Sequence, residues 1–367
     1  MDPITLLREM VEIESLSGSE GAVAAYIVGR MRELGYDEAF VDAAGNAVGI
    51  RRGQGTPSGE SHHAGDLVLL GHMDTVPGRI PVRIEGGLLY GRGSVDAKGP
   101  LATFVMAGAQ VTPPPGTRLV VIGATEEEAA SSKGAHHAAG AYRPSACIIG
   151  EPSNWDAVTL GYKGRLLCDY RLEQGGAHSA GPETAAPELA IAAWNAIAAH
   201  AAAFNQGREH LFDQLMPSLR SIRSSSDGIT DVVEMTMGFR LGPGFDTDAL
   251  EAFIRAAAMQ GLPEHARAQV RFRGREVAWQ STRTTPLAWA FNMALREAGV
   301  TPRFKVKTGT SDMNVVGPVW NCPIVAYGPG DSKLDHTPNE HLVIEEYLLA
   351  IGVLAGVLRG FLESTGT

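Results

Sequence analysis

The sequence predicts an α/β fold with a second domain inserted into it, and three observations carry that expectation. Short apolar strands alternate with helical segments through the first 162 residues. Near Gly164 the pattern changes to a β-α-β-β-α-β order, and after about residue 280 the α/β pattern resumes. At 367 residues and 38.8 kDa, the chain also exceeds the size of one ordinary hydrophobic core.

In chain order, helical spacing falls near 3–15 and 19–35, and the apolar run DLVLLG (66–71) reads as a buried strand. A helix near 97–110 follows, then strands RLVVIGA (118–124) and SACIIG (145–150). Each strand ends in Gly or a small residue, and polar chemistry follows at once: His72, then Glu126 to Glu128, then Glu151. Ligand sites of open α/β sheets gather at the carboxyl ends of the strands, so this threefold coincidence points to one site.

From Gly164 onward, RLLCDYRLE (165–173) alternates as a strand and the Ala-rich stretch 182–204 reads as a helix. Strands near 217–223 and 232–241, a helix over 246–259 capped by Asp246 or Thr247, and a strand over 266–274 complete a ferredoxin-like order. PIVAYG (323–328) and a closing helix over 341–362 return to the first domain. The expected domains are therefore 1–163 with 277–367, and an inserted domain over 164–276.

The formal net charge of −10 argues against nucleic acid as a main partner. No stretch approaches about 18 uninterrupted apolar residues, so no membrane partner is expected, and the start MDPITLLREMVEIES lacks a basic-then-apolar signal region. Cys147, Cys168 and Cys322 are too few and too scattered for a disulfide framework or a thiolate zinc cluster. A cytoplasmic location is the simplest expectation. The charge is uneven, because 266–307 holds Arg267, Arg271, Arg273, Arg275, Arg283, Arg296, Arg303, Lys305 and Lys307 against only Glu276 and Glu297. That excess marks either a landing surface for an acidic partner or a solvated face.

The stretch GHMDTVPG (71–78) puts His72 and Asp74 two residues apart on extended chain, so both side chains project to the same side. His72, Asp96 in GRGSVDAKG, Glu126–Glu128 in ATEEEAASSKGAH, Glu151 in IIGEPS and His336 in LDHTPNEH form a set rich in imidazole and carboxylate. Such a set suits zinc. Two His and three carboxylates serve two metals if Asp96 bridges, and three carboxylates with one hydroxide balance two divalent cations.

Taken in order, HMDTVP, GRGSVDAKG, the EEE triplet, GEPS and HTPNE resemble the dinuclear zinc exopeptidase and amidohydrolase family. That family includes carboxypeptidase G, succinyl-diaminopimelate desuccinylase and acetylornithine deacetylase. The resemblance covers almost the whole chain. It implies a zinc-peptidase-like α/β catalytic domain, an inserted lid and dimerisation domain, and two Zn²⁺ per subunit for which Co²⁺ can substitute. One metal is then held by His72, Asp96 and Glu151, and the other by His336, Asp96 and Glu128. Asp74 matches the carboxylate that orients the first histidine, and Glu127 the general base of amide hydrolysis. Glu126 matches no ligand.

In GGAHSAGP, His178 matches a lid histidine that reaches the partner subunit's site, which implies a homodimer. Tyr162, Lys163 and Arg165 in GYKGR sit at the expected domain junction and read either as a hinge or as substrate contacts, whereas Gly309, Thr310 and Ser311 in GTSDMN, and Gly328 and Gly330 in GPG, match family segments near the substrate. The remaining histidines (62, 63, 136, 137, 200, 210, 265 and 341) match no motif and read as surface or capping residues. One departure stands out: the Asn-x-x-Pro element that many relatives carry in the lid is absent between Ser224 and Arg240.

SVDAKGP (94–100), GTSDMNVV and GPGDSKLDHTPNEH are most similar to the amino-carrier-protein lysine/ornithine hydrolases of this family. These release lysine or ornithine from the glutamyl side chain at the C-terminus of a small acidic carrier protein, in lysine and arginine biosynthesis. A deacetylase of acetylornithine or acetyl-lysine and a small-peptide exopeptidase are the enzyme alternatives. A metal-bound homologue that binds conjugates without turnover is the non-enzyme alternative, and the intact Glu127 speaks against it.

Overall fold

The computed structural model describes residues 1–59, 65–176 and 181–365. The chain forms two compact units. The larger is Met1–Gly161 with Gln280–Val306 and Ser311–Thr367, and the smaller is Tyr162–Trp279 with Lys307–Thr310. Assignment of Lys307–Thr310 to the smaller unit departs from the expected boundaries. Its cause is local hydrogen bonding: Lys163 N donates to Lys307 O at 3.3 Å, and Arg240 Nη1 donates to Thr310 Oγ1 at 2.7 Å.

In the larger unit, the strand Asp66–His72 lies between Arg118–Ala124 and Ala146–Gly150, parallel to both, and Ile324–Tyr327 extends the parallel set. Every residue of the first three strands is buried. That explains their continuous Val, Leu and Ile runs: with helices on both faces, neither face of the strand is left to water. Close approach at the strand ends demands glycine. A Cβ on Gly150 would lie 2.9 Å from Gly71 Cα and 3.0 Å from the Phe104 ring.

The core of this unit joins those strands to helices Pro3–Glu12, Gly21–Glu33, Lys98–Ala109, Pro286–Glu297 and Ile344–Thr365. Helices Lys133–Ala141, Pro286–Glu297 and Met313–Trp320 go beyond the expected elements. The closing element also differs from expectation at its start. His341–Val343 is a strand paired antiparallel with Leu88–Tyr90, and the helix begins only at Ile344. The Ile344–Ser364 stretch is long and apolar enough to cross a membrane, but 56% of that apolar window is buried inside the protein, as a core helix requires.

Among the described residues, the smaller unit has the four sheet strands and two α-helices in the predicted order. Its antiparallel sheet runs Met216–Ser226, Thr230–Leu241, Gly164–Gly175, Arg267–Glu276. One face buries Leu166, Cys168, Tyr170 and Leu172 with Val233, Met235, Met237 and Phe239 against Ile197 and Ile254 of the two helices. The other face is polar, which is why these strands alternate where those of the larger unit do not. Asp246 caps its helix by accepting from Ala249 N at 2.9 Å, as predicted.

An ion pair with no solvent exposure ties two parallel strands at the end opposite the site. Arg118 Nε and Nη2 donate to Asp66 Oδ1 and Oδ2 at 2.7 and 2.6 Å. Removing one partner of such a pair leaves an uncompensated buried charge and costs about 3–5 kcal/mol. Asp66→Ala therefore lowers the unfolding free energy measured by urea titration by that amount, whereas Asp66→Leu with Arg118→Met recovers most of the loss.

Candidate metal centre

Parallel register delivers the chemistry. His72 ends its strand opposite Ala124, and Gly71 stands opposite Gly150, so His72, the turn after Ala124 and Glu151 emerge side by side. The two other groups arrive differently. The Leu88–Tyr90 and His341–Val343 pairing draws the 336–340 loop beside the 91–98 turn, and Gly91 N donates to Glu340 O at 3.3 Å.

These routes converge on two groups of ligand-type atoms, His72 with Asp96 and Glu151, and Asp96 with Glu128 and His336. His72 Nε2 is 3.2 Å from Asp96 Oδ1 and 3.9 Å from Glu151 Oε1. His336 Nε2 is 3.1 Å from Asp96 Oδ2 and 2.9 Å from Glu128 Oε1. Asp96 thus presents one oxygen to each histidine. Glu127 Oε2 stands 4.0 Å from His72 Nε2, beside the first group. An imidazole and two carboxylate oxygens per group form a donor set that fits a divalent zinc-type ion.

Asp74 binds the assembly together. Its Oδ1 accepts from Glu127 N at 3.1 Å, and its Oδ2 from Glu128 N at 3.0 Å and Ser17 Oγ at 2.7 Å. His72 Nδ1 lies 3.1 Å from Asp74 O and 3.5 Å from Asp74 Oδ1. Both are acceptors, so a proton sits on Nδ1, and in the neutral ring that an ion would require the Nε2 lone pair faces Asp96 and Glu151.

Electrostatics divides the groups. Burial disfavours charge on His72, but the hydrogen bonds its ring donates to Asp74 and Asp96 outweigh it and raise its pKa well above the ordinary value. Burial likewise pushes Asp96 up, and its two histidine partners pull it below the carboxylate range. Glu127 is raised well above its ordinary value by burial first, with Glu151, Asp312 and Glu128 adding repulsion that His72 only partly offsets. His336 is raised to about 10 by its hydrogen bonds to Asp96 and Glu128. His336 (φ +59°) and Glu126 (φ +58°) hold left-handed backbone, a conformation costing roughly 1 kcal/mol or more for a side-chain-bearing residue.

Several supporting residues escaped the sequence reading. Glu340, fully buried, accepts from Val95 N at 3.0 Å and Asp96 N at 3.1 Å and pairs with Arg92 at 2.7 Å, so it positions the shared carboxylate. Its signal was the last letter of HTPNE. Glu20 accepts from Gly18 N and Glu126 N, holding the acidic turn. Asp312, in GTSDMN, is buried, its Oδ1 makes no hydrogen bond among the described residues, and burial raises its pKa to about 7.

The predicted substrate residues are placed as follows. Lys163 is buried and its Nζ donates to Leu211 O at 2.6 Å and to Gln214 O; desolvation lowers its pKa to about 8. Arg165 is held by Glu276 at 2.7 Å, and Tyr162 lies under Lys307 Nζ at 5.8 Å. Thr310 accepts from Arg240, and Gly309 has open space where a Cβ would be. Ser311 N donates to Asn314 Oδ1, while Gly328 O and Gly330 O accept from Ser153 N and Asn154 N. His178 lies outside the described residues.

Residues 68–360 match Peptidase family M20/M25/M40. The chain belongs to this family. It is 47% identical to a [LysW]-lysine hydrolase of Deinococcus radiodurans over 360 residues, covering 96% of this chain and 95% of that protein. Its fold is that of the M20 metallo-carboxypeptidase Sso-CP2 from Sulfolobus solfataricus, with a TM-score of 0.74, 16% identity and coverage of 99% and 100%. The Bacillus subtilis YXEP protein, a dinuclear metal-binding M20 peptidase, aligns with a TM-score of 0.67, 14% identity and coverage of 100% and 98%.

A raised histidine pKa sets the direction of pH dependence. His336 stabilises the metal-free protein fully below the ordinary value near 6.5, and that contribution is lost as pH rises through about 10. Ion binding needs the neutral ring and so displaces its proton. Divalent-ion affinity therefore falls from pH 8 to pH 6. Calorimetry in buffers of different ionisation enthalpy should register about one proton fewer released by His336→Gln.

Proposed function

We propose that this chain hydrolyses the amide linking lysine, or ornithine, to the glutamyl side chain at the C-terminus of a small acidic amino-group carrier protein. The observation that carries the chemistry is the pair of ligand triads sharing Asp96, with Glu127 beside them. Support for the substrate comes from the near-full-length likeness to the [LysW]-lysine hydrolase. Such a reading places the protein in amino-acid biosynthesis in the cytoplasm.

In this reading His72, Asp96 and Glu151 hold one Zn²⁺, and Asp96, Glu128 and His336 the other, with Co²⁺ able to replace zinc. When bound, such ions supply Lewis acidity to the amide carbonyl and to the attacking water. Glu127 takes the proton from that water as its oxygen adds to the carbonyl carbon. As the C–N bond breaks, Glu127 returns the proton to the departing amine of lysine. Its surroundings suit this work, because burial and neighbouring carboxylates raise its proton affinity. Asp74 keeps Glu127 and Glu128 in place through their backbone N–H groups and sets the His72 tautomer. The proposed substrate contacts are Ser311, Gly328 and Gly330 in the larger unit, and Tyr162, Lys163, Arg165, Gly309 and Thr310 in the smaller.

Glu127→Gln should retain both metals and lose at least about 10²-fold in kcat, the scale of a removed general base. His72→Ala and His336→Ala should instead lose metal. Metal analysis beside kinetics distinguishes the two, and a fully active Glu127→Gln enzyme would refute the mechanism. Comparing carrier-linked lysine with N-acetyl-lysine and N-acetyl-ornithine tests the substrate, since a preference for a free acetylated amino acid makes this a deacetylase.

His178 supplies the further donor to the developing oxyanion, from the partner subunit of a homodimer formed through the lid. Mixing inactive His178→Ala with inactive Glu127→Ala protein then restores partial activity after subunit exchange. Demonstrated exchange without activity removes the trans role.

A further inference from the structure

The nine basic residues of 266–307 divide between the two units, and most are already engaged; Arg296, for one, donates to Asn292. Arg303 pairs with Asp156, Arg275 with Asp248 and Glu251, and Arg273 with Asp169. Lys305 donates to Asn154, Arg283 stacks over Phe304, and Lys307 lies over Tyr162. Among those on the lid sheet, Arg267 and Arg271 alone make no side-chain hydrogen bond or ion pair among the described residues.

The sheet register shows where these two point. Arg267 stands opposite Glu173, Gln269 opposite Arg171, and Arg271 opposite Asp169. Arg171 in turn stands opposite Glu234, which stands opposite Arg223. Directly opposed residues share a face, so all of these lie on the face away from the helices. Its acids are already committed: Glu173 and Glu234 hold Arg171 at 2.8 and 2.5 Å, and Asp169 holds Arg273 at 3.0 Å. Arg223, Arg267 and Arg271 remain, exposed and without an ion pair, as does Arg220 beside Gly238; Arg223 and Arg271 line a cavity of about 650 Å³ opening on the same face.

A surplus of unneutralised arginines concentrated on one sheet face, in a chain whose net charge is −10, is a separation of charge that an acidic protein surface complements. We infer that this lid face, through Arg223, Arg267 and Arg271, is the docking surface for the acidic carrier protein. The inference rests on the proposed function and names the partner's landing site. Arginine suits the role because its planar fork meets carboxylates bidentately. Exposed charges act mainly on encounter, within a Debye length of about 8–10 Å near physiological ionic strength.

The test is the triple charge reversal Arg223→Glu, Arg267→Glu, Arg271→Glu, assayed on carrier-linked lysine and on N-acetyl-lysine at low and high salt. For the wild type, kcat/KM on the carrier substrate should fall with salt. At low salt the variant should be at least about tenfold slower on that substrate, nearly salt-independent, and within about twofold of wild type on N-acetyl-lysine. Equal losses on both substrates, or no loss on the carrier, overturn the assignment. So does a changed oligomeric state in sedimentation, which would give this face to a second copy of the chain. Calorimetric binding of the unloaded carrier at low salt separates the two readings. A wild type that binds carrier without releasing lysine loses only the proposed function, whereas one that fails to bind it loses the docking surface.

Discussion

The Asp74 carboxylate is the point on which the site turns. It accepts hydrogen bonds from two successive backbone N–H groups and from Ser17, and it stands against His72 Nδ1. Burial alone would push its pKa up, but these partners hold it below the ordinary carboxylate value, so it stays ionised where no water reaches it. One negative charge thereby fixes the position of Glu127, the position of Glu128 and the tautomer of His72. A neutral amide there could accept at one oxygen only, and would leave one of these contacts unmade.

Around that carboxylate, the supporting shell follows a common logic: each functional group is held by a group that does no chemistry. Glu340 does for Asp96 what Asp74 does for His72, receiving the Val95 and Asp96 amides and balancing its own charge against Arg92. Glu20 receives the Glu126 amide. The site's own carboxylates concentrate negative charge there. Glu151, Asp312 and Glu128 add to the burial that raises the proton affinity of Glu127, Asp96 and Glu128 raise that of His336, and Asp74 and Asp96 that of His72. The same field favours divalent cations there.

The two units meet different physical demands. The larger buries its parallel strands on both faces, and its candidate ligands His72 and Glu151 come off strand ends whose register leaves little freedom. The smaller leaves one sheet face to water, so its strands can vary on that side without harm to the core. The exposed arginines of this unit's sheet lie on that side, in a chain that is acidic overall.

Much of this was legible in the sequence because the chemistry is local. A buried parallel strand must be apolar throughout and must end where a ligand is presented, so DLVLLGH, RLVVIGATEEE and ACIIGE announce both strand and ligand in one run. Capping at Asp246 and the β-α-β-β-α-β alternation are likewise short-range, and both appear as predicted. Glu340 and Glu20 were not read as supports, since a carboxylate that receives amides from a distant turn looks in sequence like any surface acid, and nothing in GTSDMN shows that Asp312 is buried. The strand at His341–Val343 was hidden for the same reason: apolar residues beside a long helix extend it unless a distant partner, here Leu88–Tyr90, claims their backbone. The sorting of the basic 266–307 stretch also needed the tertiary structure, because ion pairing is a matter of which acid folding brings within reach. Sequence by itself determined the residue types of the site and the order of the elements; packing decided which charges are spent inside the protein and which face outward.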